Sequence, residues 1–360
     1  MRVLVAPDKF AGTLTAVEAA GAIAAGWRRQ APDDELDVAP MADGGPGFVD
    51  VLHAARGGDL LAVTVRGPRG DTVPATVLLD GRMAYVEAAQ ACGLHLTGLE
   101  GAEEASTYGV GELLLAAADA GAQRVVVGLG GSGTNDGGAG LLAALGAEAD
   151  RPLDAGAAGL VGVGSVRLPA YGPELVAATD VDNPLTGLFG ATRTFGPQKG
   201  IPEDRLPAVD AALEELAAAT DRRTSLEKGA GAAGGLGFAL LLLGATREPG
   251  VDLVARAVDL PRRAGRADLV LSGEGAFDYS SRGGKVPYGV AAVATEALRP
   301  CVVLAGRVDV GAREMRALGV ESAYSLVDLV GEERALGDPA GALSDLAARV
   351  ARTWSMTERG

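Results

Sequence analysis

One stretch constrains this chain more than any other. Val125-Val126-Val127 runs straight into Gly128-Leu129-Gly130-Gly131-Ser132-Gly133-Thr134-Asn135-Asp136-Gly137-Gly138. The apolar triplet reads as a buried strand and the residues from Ala139 to Leu145 as a helix start. A strand, a glycine loop and a helix N-terminus make an anion cradle, because unpaired amide N–H groups and the helix dipole both favour phosphate. Gly128, Gly130 and Gly133 fit the spacing G-x-G-x-x-G, and so do Gly229, Gly231 and Gly234. With 54 glycines in 360 residues, chance produces such matches. The plain alternative at each loop is a tight turn that packs a helix on a sheet.

A chain of 360 residues is long for one core, so two domains are expected. The net charge of −15 argues against a nucleic-acid partner, whose phosphates it would repel. It leaves a small anionic substrate open. Cys92 and Cys301 are too few for a disulfide framework, which predicts a reducing, cytoplasmic compartment. Asp8 interrupts the first apolar run, so no signal peptide is expected. The longest apolar stretch, over 236–243, is too short to span a bilayer, and no membrane partner is expected. His53 and His95 are the only histidines and read as structural, which makes a Ser-His-Asp hydrolase or a multi-histidine metal site unattractive. No G-x-x-x-x-G-K-[ST] loop occurs.

The periodicity predicts a strand over 3–6, a helix over 15–29 with Thr15 and Glu18 as a capping box, a strand over 36–39, and a helix opened by Gly44-Gly45. That rhythm implies parallel strands. Strands over 62–65, 75–78 and 84–86, split by Gly-Pro and Asp-Gly turns, read as antiparallel hairpins. Alternation resumes from Thr107, with strands at 124–128, 175–179, 268–272, 301–305 and 322–326 and a helix over 208–219. The expected fold class is α/β: a Rossmann-like parallel-sheet domain with a second, inserted α/β domain containing a mixed sheet. The expected boundaries are 1–60 and 261–360 for the discontinuous Rossmann-like domain and 61–260 for the insert, with the active site in the cleft between them.

Acids fall just beyond several strands: Asp8, Asp43, Asp180, Asp182 and Glu274, with Asp278 four residues on. Ligands of open α/β sheets bind outside the carboxyl ends of the strands. Carboxylates there can hold Mg²⁺ or take a hydroxyl proton. Singly, each reads equally well as a turn residue or helix cap. Lys9, Lys199 and Lys285 (after Gly283-Gly284) stand on glycine turns, where a lysine meets a phosphate or carboxylate or is simply solvated. A dinucleotide reading of the first glycine loop is weakened, because no clear second strand leads to the acid expected about 20 positions on.

Taken in order, these motifs resemble the bacterial glycerate kinase family, type I group. The resemblance covers nearly the whole chain. It rests on Ala6-Pro7-Asp8, Met41-Ala42-Asp43-Gly44-Gly45, the glycine run from Gly130 to Gly138, Thr179-Asp180-Val181-Asp182-Asn183-Pro184-Leu185 and Phe195-Gly196-Pro197-Gln198-Lys199-Gly200. It continues through Gly229-Ala230-Gly231-Ala232-Ala233-Gly234-Gly235, Ser272-Gly273-Glu274-Gly275 and Gly284-Lys285-Val286-Pro287. The resemblance implies a two-domain enzyme that moves the γ-phosphate of ATP to D-glycerate with Mg²⁺.

On that reading Asp43, Asp180, Asp182 and Lys199 are the catalytic candidates. Gly130, Gly131, Ser132, Thr134, Asn135, Gly231, Gly234, Glu274 and Lys285 are the candidates for binding ATP, and Asp180 and Asp182 jointly for Mg²⁺. Departures stand beside the match. Relatives usually read D-S-F-K-G where this chain has Asp8-Lys9-Phe10-Ala11-Gly12, and D-G-G-E-G loses its acid to Pro46. In R-[IL]-D-x-Q-T, Ala276 replaces the Arg and Ser280 the Gln. These changes leave two other readings open: a non-catalytic or weakly active paralogue that binds a nucleotide or hydroxy acid, and an NAD-dependent oxidoreductase. A monomer or homodimer is expected.

Overall fold

The computed structural model describes residues 1–278 and 285–355. Among the described residues the strands are β1 (Arg2–Val5), β2 (Glu35–Val38), β3 (Asp59–Arg66), β4 (Thr72–Asp80), β5 (Met83–Glu87), β6 (Arg124–Gly128), β7 (Glu148–Ala149), β8 (Val166–Arg167), β9 (Glu174–Ala178), β10 (Thr246–Glu248), β11 (Leu269–Phe277), β12 (Cys301–Val308) and β13 (Ser322–Ser325). The chain divides into two compact units. The first comprises Met1–Asp43, Asp50–Arg56 and Val251–Gly360, and the second Gly44–Val49 and Gly57–Gly250.

The first unit is built on a five-stranded sheet in the order β13-β12-β11-β1-β2, parallel throughout. Val3, Leu4 and Val5 of β1 are fully buried; such an unbroken apolar run suits a parallel strand with both faces covered. The helix Ala16–Gln30 starts on the expected capping box. Thr15 Oγ1 accepts the Glu18 N–H, and Glu18 Oε2 accepts the Thr15 N–H at 2.9 Å. Its Ile23 and Trp27 enter a core with Leu271, Leu343 and Val350. Gly26 lets this helix approach the C-terminal helix Pro339–Trp354, because a Cβ there would lie 1.9 Å from the Ser344 carbonyl oxygen.

Two expectations change, one in this unit and one at Gly44–Val49, which belongs to the second. β11 does not stop at 272 but runs to Phe277, since β12 continues beside it through the pair Phe277↔Val308. Glu274 is therefore inside a strand. Nor does a helix open at Gly44-Gly45. It begins at Phe48, after two single left-handed residues, Gly44 (φ +91°) and Gly47 (φ +93°), a backbone that glycine adopts without strain.

The second unit carries a six-stranded sheet in the order β10-β9-β6-β5-β4-β3. The pairs β3–β4 and β4–β5 are antiparallel, and β5–β6, β6–β9 and β9–β10 are parallel. Val125 and Val127 pack with Val77, Val86, Leu113 and Leu141 in the core. β7 and β8 form a separate two-stranded ribbon. The helix Leu206–Ala219 begins two residues earlier than its apolar pattern suggests, with Pro207 in its first turn, where the missing N–H costs nothing.

Candidate active site

In the second unit the loop after β6 is braced from inside by Asp136, which is fully buried. Its Oδ2 accepts the Thr107 N–H and hydroxyl, both at 2.8 Å, and the Gly140 N–H at 3.1 Å. Its Oδ1 accepts the Gly138 N–H at 3.0 Å. Burial raises its pKa, opposed by these bonds. With all four bonds directed at the protein, Asp136 fixes the loop.

Lys199 lies beneath the same loop, 2% exposed. Its Nζ donates to Ser132 Oγ at 3.0 Å and to the Thr134 carbonyl at 2.6 Å. It forms no salt bridge among the described residues, and burial pulls its pKa down to about 8. Asn135 Nδ2 donates to Thr192 Oγ1 at 2.9 Å. Thr134 Oγ1 and Asn135 Oδ1 are buried without a hydrogen-bond partner. A buried polar atom left unpaired is costly; the Thr134 hydroxyl can donate or accept, whereas Asn135 Oδ1 only accepts. Gly130, Gly131, Ser132, Thr134, Asn135 and Lys199 are thus brought together as one polar loop.

The second glycine run has another reason to be bare. A Cβ on Gly234 (φ +69°) would lie 2.0 Å from the Thr134 carbonyl oxygen, and one on Gly231 would lie 2.3 Å from the Pro184 oxygen. The Gly137 N–H donates to the Gly234 carbonyl at 3.0 Å. Gly231 and Gly234 therefore let one loop press on another. Gly130 and Gly131 do the same toward Gly45 and Pro46. Glu87, which the sequence reading missed, is 6% exposed and accepts the Gly47 and Val49 N–H groups at 3.0 and 3.4 Å.

The two acids beyond β9 are not equivalent. Asp182 Oδ2 pairs with Lys228 at 2.9 Å and Oδ1 with Arg247 at 2.7 Å. The Lys228 hydrogen bond, helped by both cations, holds this carboxyl below its ordinary range. Asp180, two residues earlier, is partly buried. Among the described residues no three His, Cys, Asp or Glu side chains form a metal-holding group. A nucleotide-borne Mg²⁺ asks less, typically one or two carboxylates beside the phosphates. Both oxygens of Asp182 are occupied.

In the first unit the acids stand along the carboxyl edge of the parallel sheet. The Asp8 N–H donates to the Gly273 carbonyl of β11 at 2.8 Å, and the Met41 N–H to the Pro7 carbonyl at 2.9 Å, which draws Asp8 and Asp43 to neighbouring strand ends. Lys9 Nζ lies 3.4 Å from Asp43 Oδ1 and 3.6 Å from Asp8 Oδ1. Asp8 is 6% exposed. Burial pushes its pKa up to about 7, opposed by Lys9 and reinforced by Asp43. In β11, Glu274 is 5% exposed; Lys285 Nζ lies 3.7 Å from it and 3.9 Å from Asp278 Oδ1. The structure thus groups Asp43 with Asp8 and Lys9, and Glu274 with Lys285 and Asp278. Ala276 lies opposite Arg307 of β12. Ser280 and the Gly283-Gly284 pair lie outside the described residues.

Residues 3–355 match the model of the glycerate kinase family. The chain is 43% identical to an uncharacterised Mycobacterium bovis protein, over 98% of this chain and 91% of that one. It is 39% identical to a Bacillus subtilis glycerate kinase, over 91% and 90%. The crystal structure of a putative glycerate kinase 2 from Salmonella typhimurium LT2 superposes with a TM-score of 0.80 at 35% identity, covering 98% of each chain. The chain belongs to the glycerate kinase family.

Proposed function

We propose that this protein is an ATP-dependent kinase of D-glycerate, transferring the γ-phosphoryl group of ATP to a hydroxyl of the acid to give phosphoglycerate and ADP. The observation that carries the reading is the family match over residues 3–355, which spans both units. Phosphoryl transfer asks a protein mainly for positioning and charge neutralisation, and the two polar clusters supply the residue types for both.

In this reading the 128–138 loop binds ATP: the Ser132 and Thr134 hydroxyls meet phosphate oxygens, Asn135 Oδ1 takes a hydroxyl or amino donor of the nucleotide, and Lys199 lends the loop a positive charge. The bare backbones of Gly130, Gly131, Gly231 and Gly234 keep the loop in shape. Glu274 and Lys285 join in nucleotide binding, and Asp43 orients the acceptor. Asp180 holds Mg²⁺, and Asp182, tied to Lys228 and Arg247, sets the turn that carries Asp180. When bound, Mg²⁺ neutralises charge on the transferring phosphoryl group. The oxidoreductase reading is not favoured. Glu148, about where a ribose-binding acid would stand, is in the separate ribbon and pairs with Arg167.

Among the described residues no helix is long and apolar enough to cross a membrane. With both cysteines free and buried, we place the enzyme in the cytoplasm, acting on a small molecule as monomer or homodimer. The test is a kinase assay with Mg²⁺, ATP and D-glycerate, with the product identified by NMR. Glycerate-dependent ADP release is expected. Folded protein that releases no ADP with glycerate or related 2,3-hydroxy acids would refute the reading.

A further inference from the structure

Asp8 is buried at the carboxyl edge of the first unit's sheet with only one of its carboxylate oxygens hydrogen-bonded. Its Oδ1 accepts the Lys9 N–H at 2.8 Å and faces the Lys9 ammonium. Its Oδ2 makes no hydrogen bond among the described residues, although only 8% of the side chain is accessible. By contrast, Asp182 has both oxygens paired, Asp136 is saturated by backbone and hydroxyl donors, and Asp43 is more exposed, at 29% of its side chain. The position is also the one where open α/β sheets place their chemistry, just past the carboxyl end of an interior strand.

We propose that Asp8 is the proton acceptor for the substrate hydroxyl, with Oδ1 fixed by Lys9 and Oδ2 left for the incoming proton. The proposal rests on the kinase reading and names a residue that reading leaves unassigned. In the step, the hydroxyl proton of glycerate passes to Asp8 Oδ2 while the hydroxyl oxygen forms a bond to the γ-phosphorus. The bond from that phosphorus to the β,γ-bridging oxygen breaks, and its electron pair stays on that oxygen as part of ADP. Asp8 then gives the proton to water, so glycerate and ATP become phosphoglycerate, ADP and a proton.

A base works best when its pKa lies near the operating pH, and burial lifts Asp8 to about 7. The charged groups that act on it are Lys9 on its own turn and Asp43 beyond β2.

Wild-type kcat/KM at saturating Mg²⁺·ATP is expected to rise with pH along a limb centred near 7. Asp8→Asn should lower kcat by about 10²-fold or more and abolish that limb, while calorimetric ATP binding stays within about threefold. Two further variants keep the idea testable should Asp8→Asn not fold. Lys9→Met removes a charge that lowers the Asp8 pKa and should move the limb to higher pH. Asp43→Asn removes one that raises it and should move the limb to lower pH. Asp8→Asn with near-normal turnover and an intact limb would overturn the assignment, and so would a limb that neither neighbour's substitution moves. A wild-type protein with no glycerate-dependent ADP release would instead strike down the kinase reading itself.

Discussion

Lys199 and Lys9 both stand in glycine-rich turns, yet they are held in opposite ways. In the second unit Lys199 is buried against a hydroxyl and a carbonyl, dipoles that orient the ammonium without cancelling its charge. In the first unit Lys9 lies between two carboxylates, and its charge is answered within the protein. A buried cation is costly unless paired, so the Lys199 arrangement makes sense when an anion arrives from outside. The glycine-loop region is thus unfinished without a ligand, whereas the carboxylate edge is already balanced and tuned for moving a proton.

The largest effect that tests this contrast is at Lys199. Lys199→Met should lower kcat/KM by at least about 10²-fold, the scale for losing one preorganised electrostatic donor, with weaker ATP binding by calorimetry. Lys199→Arg should not restore activity, because the fork of a guanidinium does not fit a sealed ammonium site. If Lys199→Met turns over normally, the loop's buried charge does not serve the reaction.

Next in size is Gly234→Ala. Its left-handed backbone and the 2.0 Å approach to the Thr134 oxygen should make it cost at least about 2 kcal/mol in denaturant unfolding. Stability unchanged by this substitution would mean that the two loops do not press together as described. Smaller again, Asp180→Asn should lower kcat by at least about tenfold. Asp182→Asn should lower it less, since an exposed pair contributes only about 0–1 kcal/mol. Equal losses in steady-state assays would return Asp182 to the metal site.

The effects on pH-dependent stability carry opposite signs in the two units. Asp8 rises from 3.8 to about 7 on folding, so in that window the native state binds more protons and this group makes stability fall as pH rises. Lys199 drops from 10.5 to about 8, so there the unfolded state binds more protons and stability rises with pH, even as activity is lost with the ammonium. Melting curves of wild type against Asp8→Asn and Lys199→Met, across both windows, isolate each contribution.

Much of the fold was legible because its signals are local. The apolar triplet at 125–127, the Thr15–Glu18 box and the hairpin turns between β3, β4 and β5 each involve residues close in sequence. The site was legible in its ingredients but not in their arrangement. Nothing near Gly234 in sequence says that its missing Cβ makes room for Thr134, a hundred positions away. Likewise the partners that occupy Asp182, Lys228 and Arg247, come from outside its own turn. The burial of Asp8 depends on β11, which pairs with β1 from the far end of the chain. A strand-end acid followed by a lysine is a visible signal, but only tertiary packing separates it from the other strand-end acids.

The sheet order of the first unit has a consequence for the order of events during synthesis. β1 and β2 emerge first, but the partner on the other side of β1 is β11, encoded more than 200 residues later. At ordinary elongation rates of about 5–20 residues per second, the ribosome needs roughly 10–45 s to reach it. The second unit's strands, β3 to β10, are complete in sequence before then. The nascent N-terminal segment therefore spends that interval with an open parallel edge and a bare apolar helix face, until the last quarter of the chain closes over it.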